Sequence, residues 1–200
     1  MRNYRLRIPG PSGHIETVIN DPAGVRNGIV LIAHPHPLHG GSLDNKVTAT
    51  IAKALVANGH VCVRPNFRGV GNSQGEYAHG EGEAEDMLAV WRFVSDKFNG
   101  LPLLLAGFSF GAYVQAKIAP QLPARGILLV APAINLFSFD ALAAPARVVH
   151  GERDELVPVD AVKTWTTAHA IPLQVVAGAG HYFHRHLPQL NSAVVQACQF

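Results

Sequence analysis

Charge is scarce in this 200-residue chain. Asp, Glu, Lys and Arg together make up 15% of it, and the formal net charge is only +2. So weak a balance gives no reason to expect nucleic acid or an anionic membrane as partner. Cysteine is scarcer still: Cys62 and Cys198 stand alone and imply no disulfide framework. No apolar run approaches the roughly 20 residues that a membrane-spanning helix needs. Residues 1–13 also lack the apolar centre of a secretion signal, so cytoplasm is the expected compartment. Repeats, linkers and low-complexity tracts are absent. Neither His-Glu-x-x-His nor a cysteine–histidine spacing occurs among the 11 histidines. The two histidine groups, His34, His36, His39 and His181, His184, His186, are therefore read without a metal. His34 and His39 are expected to orient a loop, and His184 and His186 to begin the last helix.

What is abundant is apolar. A 48% hydrophobic fraction suits a sheet buried on both faces, and the length suits one domain over residues 1–200. Residues 3–8 and 15–19 read as an antiparallel pair around the turn Pro9-Gly10-Pro11-Ser12-Gly13. After them, short apolar strands at 28–33, 61–64, 102–106, 126–130, 146–151 and 173–176 alternate with helical stretches. One helix, near 46–57, stops at Asn58-Gly59. The next, about 82–98, carries Met87, Val90, Trp91, Val94 and Phe98 on one face, which reads as core packing. Glu83, Glu85 and Asp86 in its first turns read as ordinary helix-start acids. This alternation predicts an α/β fold with a mostly parallel, twisted sheet of about eight strands.

Gly107-Phe108-Ser109-Phe110-Gly111 is the most informative stretch. An apolar strand precedes it, and a helix former, Ala112 onward to Pro120, follows. A strand that becomes a helix through Gly-x-Ser-x-Gly holds its serine on a tight, strained turn above the helix N-terminus. Gly71-Asn72-Ser73-Gln74-Gly75 matches the same pattern, but neither a strand nor a helix flanks it, so it reads as a glycine-rich surface loop. A nucleophilic serine needs a base, and the base needs a carboxylate to hold its tautomer. Downstream, the strand at 146–151 leads into Glu152-Arg153-Asp154-Glu155, and the strand at 173–176 leads into Gly178-Ala179-Gly180-His181. Both loops leave the same edge of a parallel sheet as Ser109.

The order Ser109, Asp154, His181 resembles the triad of α/β-hydrolases, and the acid and histidine loops look like theirs. His34-Pro35-His36-Pro37-Leu38-His39-Gly40-Gly41-Ser42 and Asn66-Phe67-Arg68-Gly69-Val70-Gly71-Asn72-Ser73 are similar to the oxyanion loop and strand-4 loop of small, lidless bacterial members of the dienelactone-hydrolase and esterase branch. Dienelactone hydrolases proper carry a cysteine nucleophile, and this elbow carries serine. The resemblance implies Ser109 as nucleophile, His181 as base and Asp154 as its support, chosen ahead of Glu152, Glu155 and Asp160. It implies no cofactor.

One oxyanion donor is expected from the backbone of Phe110. The other should come from the loop after residue 33, where Pro35 and Pro37 have no N–H, leaving His36 first and Leu38 second. The His36 side chain is expected to be incidental. Only about fifteen residues, 131–145, lie where many relatives insert a cap, so no lid is expected. Phe108, Phe110, Leu136, Phe137, Tyr182 and Phe183, with Leu38, are the expected walls of an open apolar cleft. These features point to hydrolysis of small-molecule esters of short to medium acyl length. The triad does not distinguish leaving groups, so a thioester, a peptide or a purely binding role on the same fold stays open.

Overall fold

The computed structural model describes residues 1–139, 142 and 144–198. Its strands are β1 (Arg2–Gly10), β2 (Gly13–Asp21), β3 (Gly28–Ala33), β4 (His60–Pro65), β5 (Leu103–Phe108), β6 (Ala124–Val130), β7 (Ala146–Gly151) and β8 (Leu173–Val176). Its α-helices are α1 (Lys46–Ala57), α2 (Glu81–Lys97), α3 (Phe110–Ile118), α4 (Val159–Ala168) and α5 (Leu187–Ala197). The strands form one sheet in the order β1-β2-β4-β3-β5-β6-β7-β8. β1 and β2 pair antiparallel, as do β2 and β4, and every later pairing is parallel. The eight-stranded, mostly parallel sheet expected from the sequence is therefore present. Among the described residues there is no cap domain, and no helix is long and apolar enough to cross a membrane. Residues 140, 141 and 143 of the short connection after β6 lie outside the described residues.

The central strands are apolar throughout because both of their faces are covered. In β3, Ile29, Leu31 and Ala33 join one core with Met87, Val90 and Val94 of α2, Val114 and Ile118 of α3, and Val162 of α4. Val30 and Ile32 point the other way, toward Val47, Ile51 and Leu55 of α1 and Leu190 and Val194 of α5. Each of the larger side chains (Val, Leu, Ile, Met) contributes about 1.5–3 kcal/mol on burial, before the entropy of ordering it is set against that gain.

Two local devices refine the sequence reading. Glu83 is buried, and its carboxylate accepts the Ala78 and Gly80 N–H groups at 2.9 and 2.7 Å, so it ties the preceding loop to the start of α2. Asp86, also buried, forms a two-pronged pair with Arg68 at 2.8 Å for each bond. Glu83 is thus a helix-start acid as expected, capping α2 from its third position, whereas Asp86 lies beyond the first turn and serves as the partner of Arg68. At the last helix, His186 is the N-cap residue of α5 and His184 lies in the loop before it, because Pro188 sits in the first turn.

Candidate active site

β5 delivers an apolar chain to Ser109, whose backbone sits at φ 54° and ψ −115°. A non-glycine residue held there costs on the order of 1–3 kcal/mol and persists only where its surroundings over-determine it. They do so here. A Cβ on Gly107 would fall on the Gly111 carbonyl, and one on Gly111 would fall on the carbonyls of Ala33 and His34. The Ser109 N–H donates to the Val130 carbonyl of β6 at 2.9 Å, and α3 begins at the next residue. The hydroxyl is thus held at the C-terminal edge of the sheet, over a helix N-terminus.

His181, on the loop after β8, stands between the other two expected residues. Its Nε2 lies 3.1 Å from Ser109 Oγ, and its Nδ1 lies 2.8 Å from Asp154 Oδ2. An ionised carboxylate only accepts, so Nδ1 carries the proton and Nε2 offers its lone pair to the serine. Asp154 Oδ1 accepts the N–H groups of Leu156 and Val157 at 2.9 and 2.8 Å. Burial pushes the Asp154 carboxyl up, but the bonds from His181 and Val157 outweigh it and hold the group below its ordinary value.

The competing acids have other partners. Glu155 accepts the His181 N–H at 3.1 Å, and Glu152 accepts the Gly178 N–H at 2.7 Å, so both bind the acid loop to the histidine loop. Asp160 is exposed and pairs with Lys163 at 2.9 Å. Of these acids, Asp154 alone contacts the imidazole side chain. The sequence reading missed His150, which is buried at the end of β7 with Nε2 3.3 Å from Asp154 Oδ2. No local pattern marks it: it is one of two polar residues in β7, with Arg147, and its partners are set by the folded acid loop.

The loop after β3 is fixed by His34. Its Nδ1–H donates to the Pro35 carbonyl at 2.7 Å and its Nε2 accepts the Phe67 N–H at 2.9 Å, which joins this loop to the one after β4. Burial pushes the His34 ring down to about 4, so it is a neutral strut at pH 7. The side chain of His36 is not incidental. Its Nδ1 accepts the Leu38 N–H at 3.2 Å and caps the 3-10 turn Pro37–His39. The Leu38 N–H is therefore engaged within the loop.

The expected walls divide. Phe108 has no accessible surface; it packs in the α1–α5 core, 5.2 Å from the His181 ring, and supports that ring from beneath instead of lining a cleft. It lies there because β5 alternates faces and puts residue 108 with Leu104 and Ala106. Phe183 and the Phe110 side chain are buried too. Leu38 and Leu136 are open, at 68% and 73% exposure. Tyr182 is half-buried with its ring 5.1 Å from His181, and Phe137 is half-buried, stacked on Tyr113 at 4.7 Å. Phe110 in turn carries His36, Tyr77 and Phe137 at 5.0, 5.9 and 5.4 Å between ring centres. Tyr77 was not singled out from the sequence, because an isolated tyrosine in a polar loop gives no pattern to read.

Ser73, in the second Gly-x-Ser-x-Gly, belongs to a different construction. Its hydroxyl donates to the Asn66 carbonyl at 2.8 Å and accepts the Glu16 N–H at 2.9 Å. Beside it, the buried Glu16 carboxylate accepts from Asn66 and Asn72 and pairs with Arg5. The loop is rich in glycine as expected, but its serine is buried, and its hydroxyl hydrogen-bonds to backbone groups, not to an imidazole. Among the described residues no three of His, Cys, Asp and Glu converge as a metal set.

Comparison with known proteins gives the family. The family model described as serine aminopeptidase, S33, matches residues 27–139. An uncharacterised protein of Rickettsia prowazekii (strain Madrid E) is 32% identical over 95% of this chain and 86% of its own length. An alpha-beta serine hydrolase homologue from Coxiella burnetii superposes with a TM-score of 0.93 at 42% identity, covering 99% of this chain and 98% of that one. An a/b serine hydrolase without lid from Xanthomonas campestris gives 0.94 at 33% identity, covering 98% and 94%. The chain belongs to the α/β-hydrolase family, among its lidless bacterial serine hydrolases.

Proposed function

We propose that this protein hydrolyses short to medium carboxylic esters through an acyl-enzyme on Ser109. The observation that carries the reading is the single imidazole of His181 within hydrogen-bond reach of both Ser109 and Asp154. Ser109 Oγ forms a bond to the ester carbonyl carbon as its proton passes to His181 Nε2, and Asp154 stabilises the imidazolium. The oxyanion is held by the Phe110 N–H and by His36, favoured over Leu38 because the Leu38 N–H is spent on His36 Nδ1. His181 then protonates the leaving alkoxide as the C–O bond breaks. Water attacks the acyl-enzyme, gives its proton to His181, and releases the acid while Ser109 recovers its hydrogen. These steps call for no cofactor.

Leu38, Leu136, Phe137 and Tyr182 are the side chains that would meet the acyl group, and the exposure of both leucines suits a small apolar substrate. The family name raises peptide hydrolysis as a second reading. An aminopeptidase must also hold the substrate's ammonium with a carboxylate. Glu152 and Glu155 of the acid loop each accept one backbone N–H and keep further acceptor directions open, so the choice between ester and peptide rests on the measurement. The test is hydrolysis of p-nitrophenyl esters from acetate to decanoate by wild type and Ser109→Ala. Turnover that falls with long chains and vanishes in the variant is expected. A folded wild type inert toward every ester, but active on amino-acid p-nitroanilides, would favour the peptidase.

A further inference from the structure

Asp154 has four lone-pair directions to satisfy, and three are taken: two on Oδ1 by the Leu156 and Val157 N–H groups, one on Oδ2 by His181. The remaining flank of Oδ2 faces His150. This ring has no accessible surface, and its Nε2 lies 3.3 Å from Oδ2 and 2.9 Å from the Val157 carbonyl oxygen. A carbonyl only accepts, so Nε2 carries the proton and donates to Val157.

The other nitrogen, Nδ1, is buried with no hydrogen-bond partner. An unsatisfied buried acceptor costs about 1–3 kcal/mol, and an apolar ring of the same size would avoid that cost. Such a ring would, however, orphan the Val157 carbonyl, so the Nε2–H is what histidine supplies at this position. Burial lowers the pKa of this ring, against the raising pull of the Val157 carbonyl and of Asp154.

We infer that His150 is a positioning residue for the triad: its Nε2–H fixes the Val157 peptide and closes the open flank of Asp154, so that the carboxylate has one orientation toward His181. The inference rests on the role proposed above for Asp154. Val157 is held on both sides, its N–H by Oδ1 and its carbonyl by His150, and the two peptide groups that flank it form a bracket around the acid. Without the donor, the Val157 carbonyl would be orphaned and the bracket free to rotate.

The test compares His150→Met, which keeps length and apolar volume but loses the donor, with His150→Gln, whose amide N–H reaches the same place. Two quantities are read: kcat and KM on the best p-nitrophenyl ester, and the low-field proton resonance of His181 Nδ1–H, assigned by its loss in His181→Gln. In His150→Met we expect kcat to fall about tenfold, KM to change less than about twofold, and the resonance to shift or broaden. In His150→Gln both should return most of the way to wild type. If His150→Met does not fold, a wild-type resonance and kcat in His150→Gln, set against loss of both in the shorter His150→Asn, support the inference. A donor-free variant with unchanged kcat and resonance overturns it, as does His150→Gln behaving like His150→Met. Wild type that turns over no ester would sink the functional reading, and the resonance would still decide the role of His150.

Discussion

A carboxylate at the position of Asp154 is discouraged by burial and kept charged by its neighbours. Its pKa lies below the ordinary value only because the His181 and Val157 bonds exceed the desolvation penalty. Those bonds also dictate which nitrogen of His181 bears the proton. Asp154→Asn keeps the shape and reverses the polarity, because an amide NH2 facing Nδ1 drives the proton to Nε2, where it blocks deprotonation of Ser109. The expected result is a fall in kcat of about 10⁴, with KM within a few-fold of wild type. Steady-state kinetics on the same ester series checks it, and near-normal turnover would remove Asp154 from the mechanism.

Ser109, Asp154 and His181 were legible as a group because each follows a strand of a parallel sheet, and strand order alone sends such loops to one edge. His150, Asp86 and Tyr77 were not legible in this way. What each does depends on partners set by the folded loops, and no local pattern announces a partner. Phe108 misled for a related reason: an aromatic beside a nucleophile suggests a wall, but strand alternation turns it into the core.

The two copies of Gly-x-Ser-x-Gly show how an element, and not a motif, determines what a serine does. Around Ser109 a strand ends and a helix begins, so the hydroxyl is lifted out of the backbone's own hydrogen bonding. Around Ser73 there is no such transition, and the hydroxyl is consumed between Asn66 and Glu16. The flanking composition was enough to separate the copies, but not to reveal that the second one is a buried joint between β2 and the loop after β4. Ser73→Ala leaves the Glu16 N–H and the Asn66 carbonyl without this partner. It should lower stability by about 1–3 kcal/mol in urea denaturation and leave kcat on the ester series close to wild type. A loss of turnover comparable to that of Ser109→Ala, in a protein still folded, would mean that the second elbow shares in the chemistry.

At the scale of the whole molecule, the parallel sheet explains why the edge that carries Ser109 depends on polar struts. The two apolar cores cover the faces of the sheet, and the loops at its edge are joined by buried polar groups, among them two that titrate: His34 between the loops after β3 and β4, and Glu16, beside Ser73, between β2 and the second of these. Both struts make stability depend on pH. The His34 ring is pushed down from an ordinary 6.5 to about 4 by burial, so the unfolded chain takes up a proton at a pH where the folded one does not. Its contribution is fully present above about 6.5 and is lost as pH falls toward 4. Glu16 acts lower. Burial raises its carboxyl, but the hydrogen bonds from Asn72, Arg5 and Asn66 prevail and hold it at about 2. Its contribution is present above the ordinary 4.5 and is lost as pH falls toward 2. His34→Gln can still accept the Phe67 N–H through its side-chain oxygen, but it has no proton to gain. Its melting temperature should be lower than that of wild type at pH 7, and the gap should narrow steadily between pH 6.5 and 4. Glu16→Gln should show no such narrowing until the pH drops below about 4.5. Differential scanning calorimetry of the three proteins across this range checks both windows. A constant gap for His34→Gln would mean that His34 is protonated in the folded protein, and that the loop after β3 is held some other way.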